Sequence, residues 1–149
     1  MAALTSERNV KKKDGKLISF PVAANTKIYK GGLVMLDGGY AKPAAGKANG
    51  VANSIFVGVA YETVDNSTGA NGDLSIRVET EGTFEYAGDG VAADVGKVVY
   101  VEDDQTVSVT ASTTAGEENL KCGILIAVPS AGINRIRIDN QVGEVAVTV

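Results

Sequence analysis

Histidine and tryptophan are absent from this chain, cysteine occurs once, proline three times, and aromatic residues make up only 5%. Each shortage closes a class of function. Without histidine there is no Ser-His-Asp or Cys-His nucleophilic machinery and no histidine-ligated zinc site. The single thiol, Cys122, has no partner for a disulfide within one chain and cannot build a thiolate metal cluster alone. Set in an apolar run, it reads as a small buried hydrophobe. No apolar stretch approaches the roughly 20 residues that a membrane-crossing helix needs. The segment Met1–Arg8 lacks the apolar centre of a signal peptide, so the expectation is a soluble chain made in a reducing compartment. Nucleic-acid binding would call for a broad basic face interleaved with aromatics. A pI near 4.8 and scattered tyrosines do not provide one.

What is present is valine, glycine and turn residues. Eighteen glycines punctuate short Val-rich runs, the composition of short strands joined by tight turns. Strands are expected at Lys16–Val22, Leu33–Leu36, Ile55–Val64, Leu74–Val78, Gly82–Tyr86, Lys97–Glu102, Gln105–Ala111, Lys121–Val128, Asn134–Asp139 and Glu144–Val149. Asp37-Gly38-Gly39 signals a hairpin, Pro21 belongs on an edge or at a bulge, and 44–53 and 65–73 read as loops. Gly88 to Asp94 has room for a short helical turn. No segment supports a long amphipathic helix, so the fold class is all-β, a single barrel or sandwich domain. Charge is divided unevenly. Residues 1–47 carry nine Lys/Arg against three Asp/Glu, and residues 48–149 carry five against fifteen. The expected organisation is a flexible basic arm over 1–15 followed by a barrel domain over 16–149. A basic front end has either its own partner surface or the lesser task of keeping a first strand soluble.

The chain also repeats itself. Lys30–Asp37, Ile55–Tyr61 and Leu74–Val78 are echoed by Val95–Val101, Leu120–Ile126 and Asn134–Ile138. Gly32 aligns with Gly96, Gly58 with Gly123 and Arg77 with Arg137, at offsets of 64, 65 and 60 residues. Each half reads as glycine turn, apolar strand, polar loop, glycine-containing apolar strand, and a strand alternating around an arginine. Two such halves suit one pseudo-symmetric β-barrel or sandwich, a scaffold for display or docking.

Chemistry is hard to find in it. Glu79, Glu81 and Glu85 read as a solvated strand face rather than as the facing carboxylates of a glycosidase cleft. The oxygen-rich loop 65–73 could hold a calcium ion but lacks EF-hand spacing. Gly88-Asp89-Gly90-Val91-Ala92-Ala93 matches a dinucleotide fingerprint by letter only, because a Val-rich strand follows instead of a helix. Asn66-Ser67-Thr68 is a sequon in a loop. No catalytic residue, metal or cofactor is assigned.

The order of motifs resembles the head-decoration, or capsid cement, proteins of tailed bacteriophages. The likeness rests on the glycine turn and hairpin of Tyr29–Ala41, the Gly-Val-Ala strand Val57–Ala60, the hairpin Asp94–Asp104 with the strand Thr106–Thr110, and the closing Arg-Ile-Arg-Ile strand. It covers about residues 16–140. The resemblance implies a small β-barrel or β-tulip-like domain and a non-enzymatic structural protein on the outer surface of an expanded head, made in the host cytoplasm, with the major capsid protein as partner. It also implies a homo-oligomer, a trimer favoured, and neither nucleic acid nor membrane as partner. An arm and edge strand over 1–22 would make the contact. Lys11, Lys12, Lys13 and Lys16 would meet acidic coat surface, and Ile18, Phe20 and Val22 would offer strand addition. The alternative is a small β-sandwich module for carbohydrate or cell surfaces, marked by a patch of exposed aromatics. An enzyme working through carboxylates alone is the third reading.

Overall fold

The computed structural model describes residues 3, 5–6, 16–45, 54–111 and 119–139. Most of the expected arm, most of the loop 44–53 and the expected strand Glu144–Val149 lie outside the described residues. In chain order the elements are β1 (Leu17–Pro21), β2 (Thr26–Ile28), β3 (Leu33–Asp37), β4 (Tyr40–Pro43), β5 (Ser54–Ala60), β6 (Val64–Asn66), β7 (Ser75–Glu79) and β8 (Gly82–Gly88). A 3-10 turn (Ala92–Asp94) precedes β9 (Val98–Asp103), β10 (Thr106–Ser108), β11 (Lys121–Ser130) and β12 (Ile133–Ile138). The fold is all-β, as the composition implies.

Local chemistry sets these elements. Gly38 and Gly39 take φ of 59° and 90° between the paired residues Asp37 and Tyr40. That is a two-residue turn whose twist matches the flanking strands. In β7, Ile76 and Val78 point inward and Ser75 and Arg77 outward, the period-2 pattern of a half-buried strand. Two expectations shift. The strand expected to run from Ile55 to Val64 ends at Ala60, because Lys30 N–H bonds Thr63 Oγ1 (2.9 Å) and Tyr61 N–H bonds the Arg77 carbonyl (3.0 Å), turning the chain into β6. Glu79 and Glu81 do not share a strand face: β7 stops at Glu79 and Glu81 sits in the turn before β8. Leu74 falls outside β7 and is exposed.

Each half builds its own five-stranded unit. The first is a sheet of order β1-β7-β5-β3-β4; the second is a closed barrel of order β8-β12-β11-β9-β10. Strand for strand the orders coincide. The barrel closes by parallel pairing of Thr106 with Ala87 and Val107 with Gly88. The first sheet comes to within one bridge of the same closure, through the parallel contact of Val22 with Ala41. The duplication is therefore structural, but two of its alignments need correcting. Gly31 N–H bonds Ala60 O, and Ala60 N–H bonds Gly32 O; Gly96 N–H bonds Leu125 O, and Leu125 N–H bonds Lys97 O. Gly31, not Gly32, is thus the counterpart of Gly96, and both take positive φ (86° and 99°). A β-bulge interrupts the glycine strand at the same place in each half, beside Gly58 and Gly123. In the last strand, Ile18 opposite Val78 and Phe20 opposite Ile76 correspond to Phe84 opposite Ile136 and Tyr86 opposite Asn134. Arg77 and Arg137 lie on matching strands, but the positional counterpart of Arg77 is Arg135.

The core has two parts. Val22, Ile28, Val34, Ala41, Ala60, Ile76 and Val78 fill the first sheet. The second cluster joins the barrel interior (Val99, Val101, Val107, Cys122, Leu125, Ile136, Ile138) to residues from the other face of the first sheet: Leu33, Met35, Phe56 and Val59. That is why β5 and β3 read as continuous apolar runs: both of their faces are buried.

Candidate functional site

The sequence points to the N-terminal edge, and the structure places its described residues on one strand. Among the described residues β1 is an outer strand of the first sheet, paired only with β7. The Lys16 carbonyl accepts from Thr80 N–H (2.8 Å), and Val22 N–H donates to the Leu74 carbonyl (2.9 Å). Hydrogen-bonded pairs alternate along an antiparallel ladder. Ile18 and Phe20 therefore spend their backbone groups on β7, while Leu17 and Ser19 turn theirs to the edge left open among the described residues. Pro21, which has no N–H to leave unpaired, falls in the outward phase, where proline costs least.

The side chains divide the same way. Ile18, Phe20 and Val22 share the inner face. Val22 is 0% exposed and belongs to the core, Phe20 packs against that core, and Ile18 is 37% exposed at the rim. Val22 thus acts through packing, and the backbone turned to the sheet edge is that of Leu17 and Ser19. Lys16 is exposed and lies 3.8 Å from Glu81. Beside it a charged depression of about 290 Å³ is lined by Lys16, Glu81, Arg137 and Asp139. Lys11, Lys12 and Lys13 lie outside the described residues.

Elsewhere several polar side chains tie the frame together. Arg77 grips Glu62 through Nε–H to Oε2 (2.9 Å) and Nη2–H to Oε1 (3.3 Å) and stacks on Tyr61 with Cζ 5.1 Å from the ring centre. The guanidinium hydrogen bond holds the Glu62 carboxyl below its ordinary value, aided by Arg77 backbone N–H and by charge. Lys27 covers Tyr29 in the same manner at 4.9 Å. These two exposed tyrosines were not singled out in the sequence; their signal is a cation beside or across from an aromatic on a short strand. Arg135 pairs with Glu85 directly across β12 and β8 (2.8 Å).

Buried polar groups are likewise structural. Asn134 accepts from Gly90 N–H and donates to Gly90 O, both at 3.0 Å. Asn66, the sequon asparagine, is buried and donates to Ala23 O (2.9 Å) and Ala70 O (3.0 Å). Its neighbours Asp65 and Asp73 accept from Ser67 and Ala70 N–H. Among the described residues no group of three or more acidic, histidine or cysteine side chains is placed to hold a metal. Cys122 is buried with its thiol toward Val99 O, and burial pushes that thiol well above its ordinary range. Burial does the same to the Tyr86 phenol, whose hydroxyl donates to Gly31 O across the two halves (2.7 Å).

An all-β frame whose ion pairs and most buried polar groups tie the frame together, with an edge left open among the described residues, defines a structural protein that acts through its surface. The chain belongs to the phage cement protein family, whose family model matches residues 12–139. Membership gives it a capsid-associated structural role and speaks against an enzyme. No curated protein matches the chain.

Proposed function

We propose that this protein decorates the outer surface of the expanded phage head and bridges neighbouring major capsid protein subunits. The observation that carries the reading is the family match over residues 12–139, which begins within the Lys11–Lys13 run and takes in the open β1 edge. A cement protein that binds the assembled shell better than the loose subunit stabilises the shell by linkage. Many copies, each touching two subunits, gain further by multivalency. In this reading residues 1–15 form an arm that orders on contact. Lys11, Lys12, Lys13 and Lys16 meet acidic coat surface, and the Leu17 and Ser19 backbone pairs with a coat strand. The protein acts as a homo-oligomer, a trimer favoured, on the capsid lattice.

Co-sedimentation with undecorated expanded heads, unexpanded shells and unrelated particles tests this. Saturable binding to expanded heads alone is expected, weakened when residues 1–14 are deleted while the melting temperature is unchanged. Equal binding to every particle, or to none, would sink the reading. Undiminished binding of the truncated protein would remove the arm from it.

One observation favours a second reading. Tyr29 (58% exposed) and Tyr61 (43% exposed) are exposed aromatics on neighbouring segments, the kind of platform a carbohydrate module uses. One face of each ring is already taken by Lys27 or Arg77. Silence on a glycan array would dispose of this reading.

A further inference from the structure

The two halves are equivalent in strand order, yet they are not equally covered. In the second half, Phe84 and Tyr86 on β8 extend beyond the short parallel pairing that closes the barrel, leaving an opening between β8 and the β9–β10 hairpin. The first half fills it. Leu33, Met35, Phe56 and Val59, on the outer face of β3 and β5, join the barrel's own core. Leu33 N–H bonds Asp104 O (2.8 Å) at the hairpin, and Tyr86 Oη–H bonds Gly31 O.

The same two surfaces recur once more, each without a cover among the described residues. The counterpart of the opening lies in the first sheet, between β1 and the β3–β4 hairpin. There Ile18, Phe20 and Leu36 replace Phe84, Tyr86 and Val101. Val101 is fully buried and Leu36 only half-buried; Tyr86 is buried and Phe20 half-buried; Ile18 is 37% exposed. The counterpart of the covering face lies on β9 and β11. The pairs Leu33–Val59 and Met35–Phe56 become Val98–Ile124 and Tyr100–Lys121. Val59 is 4% exposed in its interface, and Ile124 is 37% exposed. Ile126 and Val95, both exposed, extend that face.

We propose that copies of this chain associate head to tail by repeating the contact that joins the two halves. The β9–β11 face of one copy (Val98, Tyr100, Ile124) covers the opening of the first sheet (Ile18, Phe20, Leu36) in the next. What points to a second copy, rather than another occupant, is continuity: the chain already contains one working example of this face on this opening. A heterologous contact of this kind closes into a ring when its rotation divides the circle. A neighbour seated there leaves residues 1–16 for the coat. The proposal does not depend on the capsid reading, and its test uses no capsid.

The test is solution mass by light scattering on wild type, Ile18→Glu and Ile124→Glu, with circular dichroism to confirm folding. Wild type should be an oligomer at about 100 µM, a concentration in the range where weak surface contacts populate. Each substitution alone should reduce it to the 15.3 kDa monomer. An equimolar mixture of the two variants should form a dimer and stop, because one opening and one face remain intact between them. Three results overturn the proposal: a monomeric wild type, whose opening is then covered by its own N-terminal segment or by a coat subunit; an oligomer that survives either substitution; or monomeric variants that fail to pair when mixed. If a glutamate disturbs folding, Ile18→Ser and Ile124→Ser serve in the same scheme.

Discussion

Gly58 and Gly123 hold the same place in the two halves, and replacing each by alanine separates two costs. At both positions a β-carbon would run into the backbone of the neighbouring strand, the Glu79 carbonyl in one case and the Arg137 carbonyl in the other. A backbone obstacle cannot rotate away, so the insertion acts as overpacking, about 1–3 kcal/mol. Gly58 also takes φ of +146°, which Gly123 does not share. An L-residue held at positive φ adds roughly 1–2 kcal/mol. Gly58→Ala should therefore cost about 2–5 kcal/mol and Gly123→Ala about 1–3 kcal/mol. For a chain of this size roughly 3 °C of melting temperature follows each kcal/mol. Thermal unfolding followed by circular dichroism should then show drops of about 6–15 °C and 3–9 °C respectively. As a control, Gly38→Ala faces no neighbouring atom and should cost only the positive-φ strain. A Gly58→Ala protein that melts with wild type would refute the close approach of β5 and β7. A larger loss at Gly123 than at Gly58 would refute the φ argument.

Asn134→Ala removes both bonds to Gly90 and strands a buried N–H and C=O, so a loss of about 2–4 kcal/mol is expected in urea titration; a loss under about 0.5 kcal/mol would show that water replaces them. Cys122 should resist a thiol reagent in the native protein and react in full in denaturant, and a rapid native reaction would contradict its burial. Glu62 has a depressed folded pKa, so its contribution is present above its ordinary value of 4.5 and is lost as pH falls through the lower folded value. Glu62→Gln should accordingly flatten the acid limb of melting temperature as pH falls below the ordinary value of 4.5, and an unchanged acid limb would show the pair to be idle.

Much of the frame was legible because it rests on local chemistry. Two glycines after Asp37 can only turn a hairpin, and the alternation of Ile76 and Val78 shows one wet face and one dry. The duplication was visible because each half must repeat the same glycine turn and bulge. Its register was not, since Gly31 and Gly32 are adjacent and only the bonds to Ala60 choose between them. Arg135 and Arg137 posed the same ambiguity two residues apart, settled by what lies opposite on β8. The break at Tyr61–Thr63 carries no turn residue of its own; contacts from Lys30 and Arg77 impose it. The candidate site was half legible. Leu17 to Val22 reads as a strand, but the burial of Val22 and the outward backbone of Leu17 and Ser19 depend on β7 and β4, which approach from elsewhere in the chain. That the first half covers the barrel is likewise a tertiary fact, hinted at only by the unbroken apolar run of β5.

The role proposed for this protein is to strengthen a phage head by binding across its coat subunits. Its most direct test is the temperature at which DNA-filled heads release their genome, followed by dye fluorescence, for bare heads and for heads saturated with the purified protein. Decorated heads should release DNA several degrees later, with the shift saturating at the stoichiometry of binding. Release at the same temperature with the protein demonstrably bound would contradict the account.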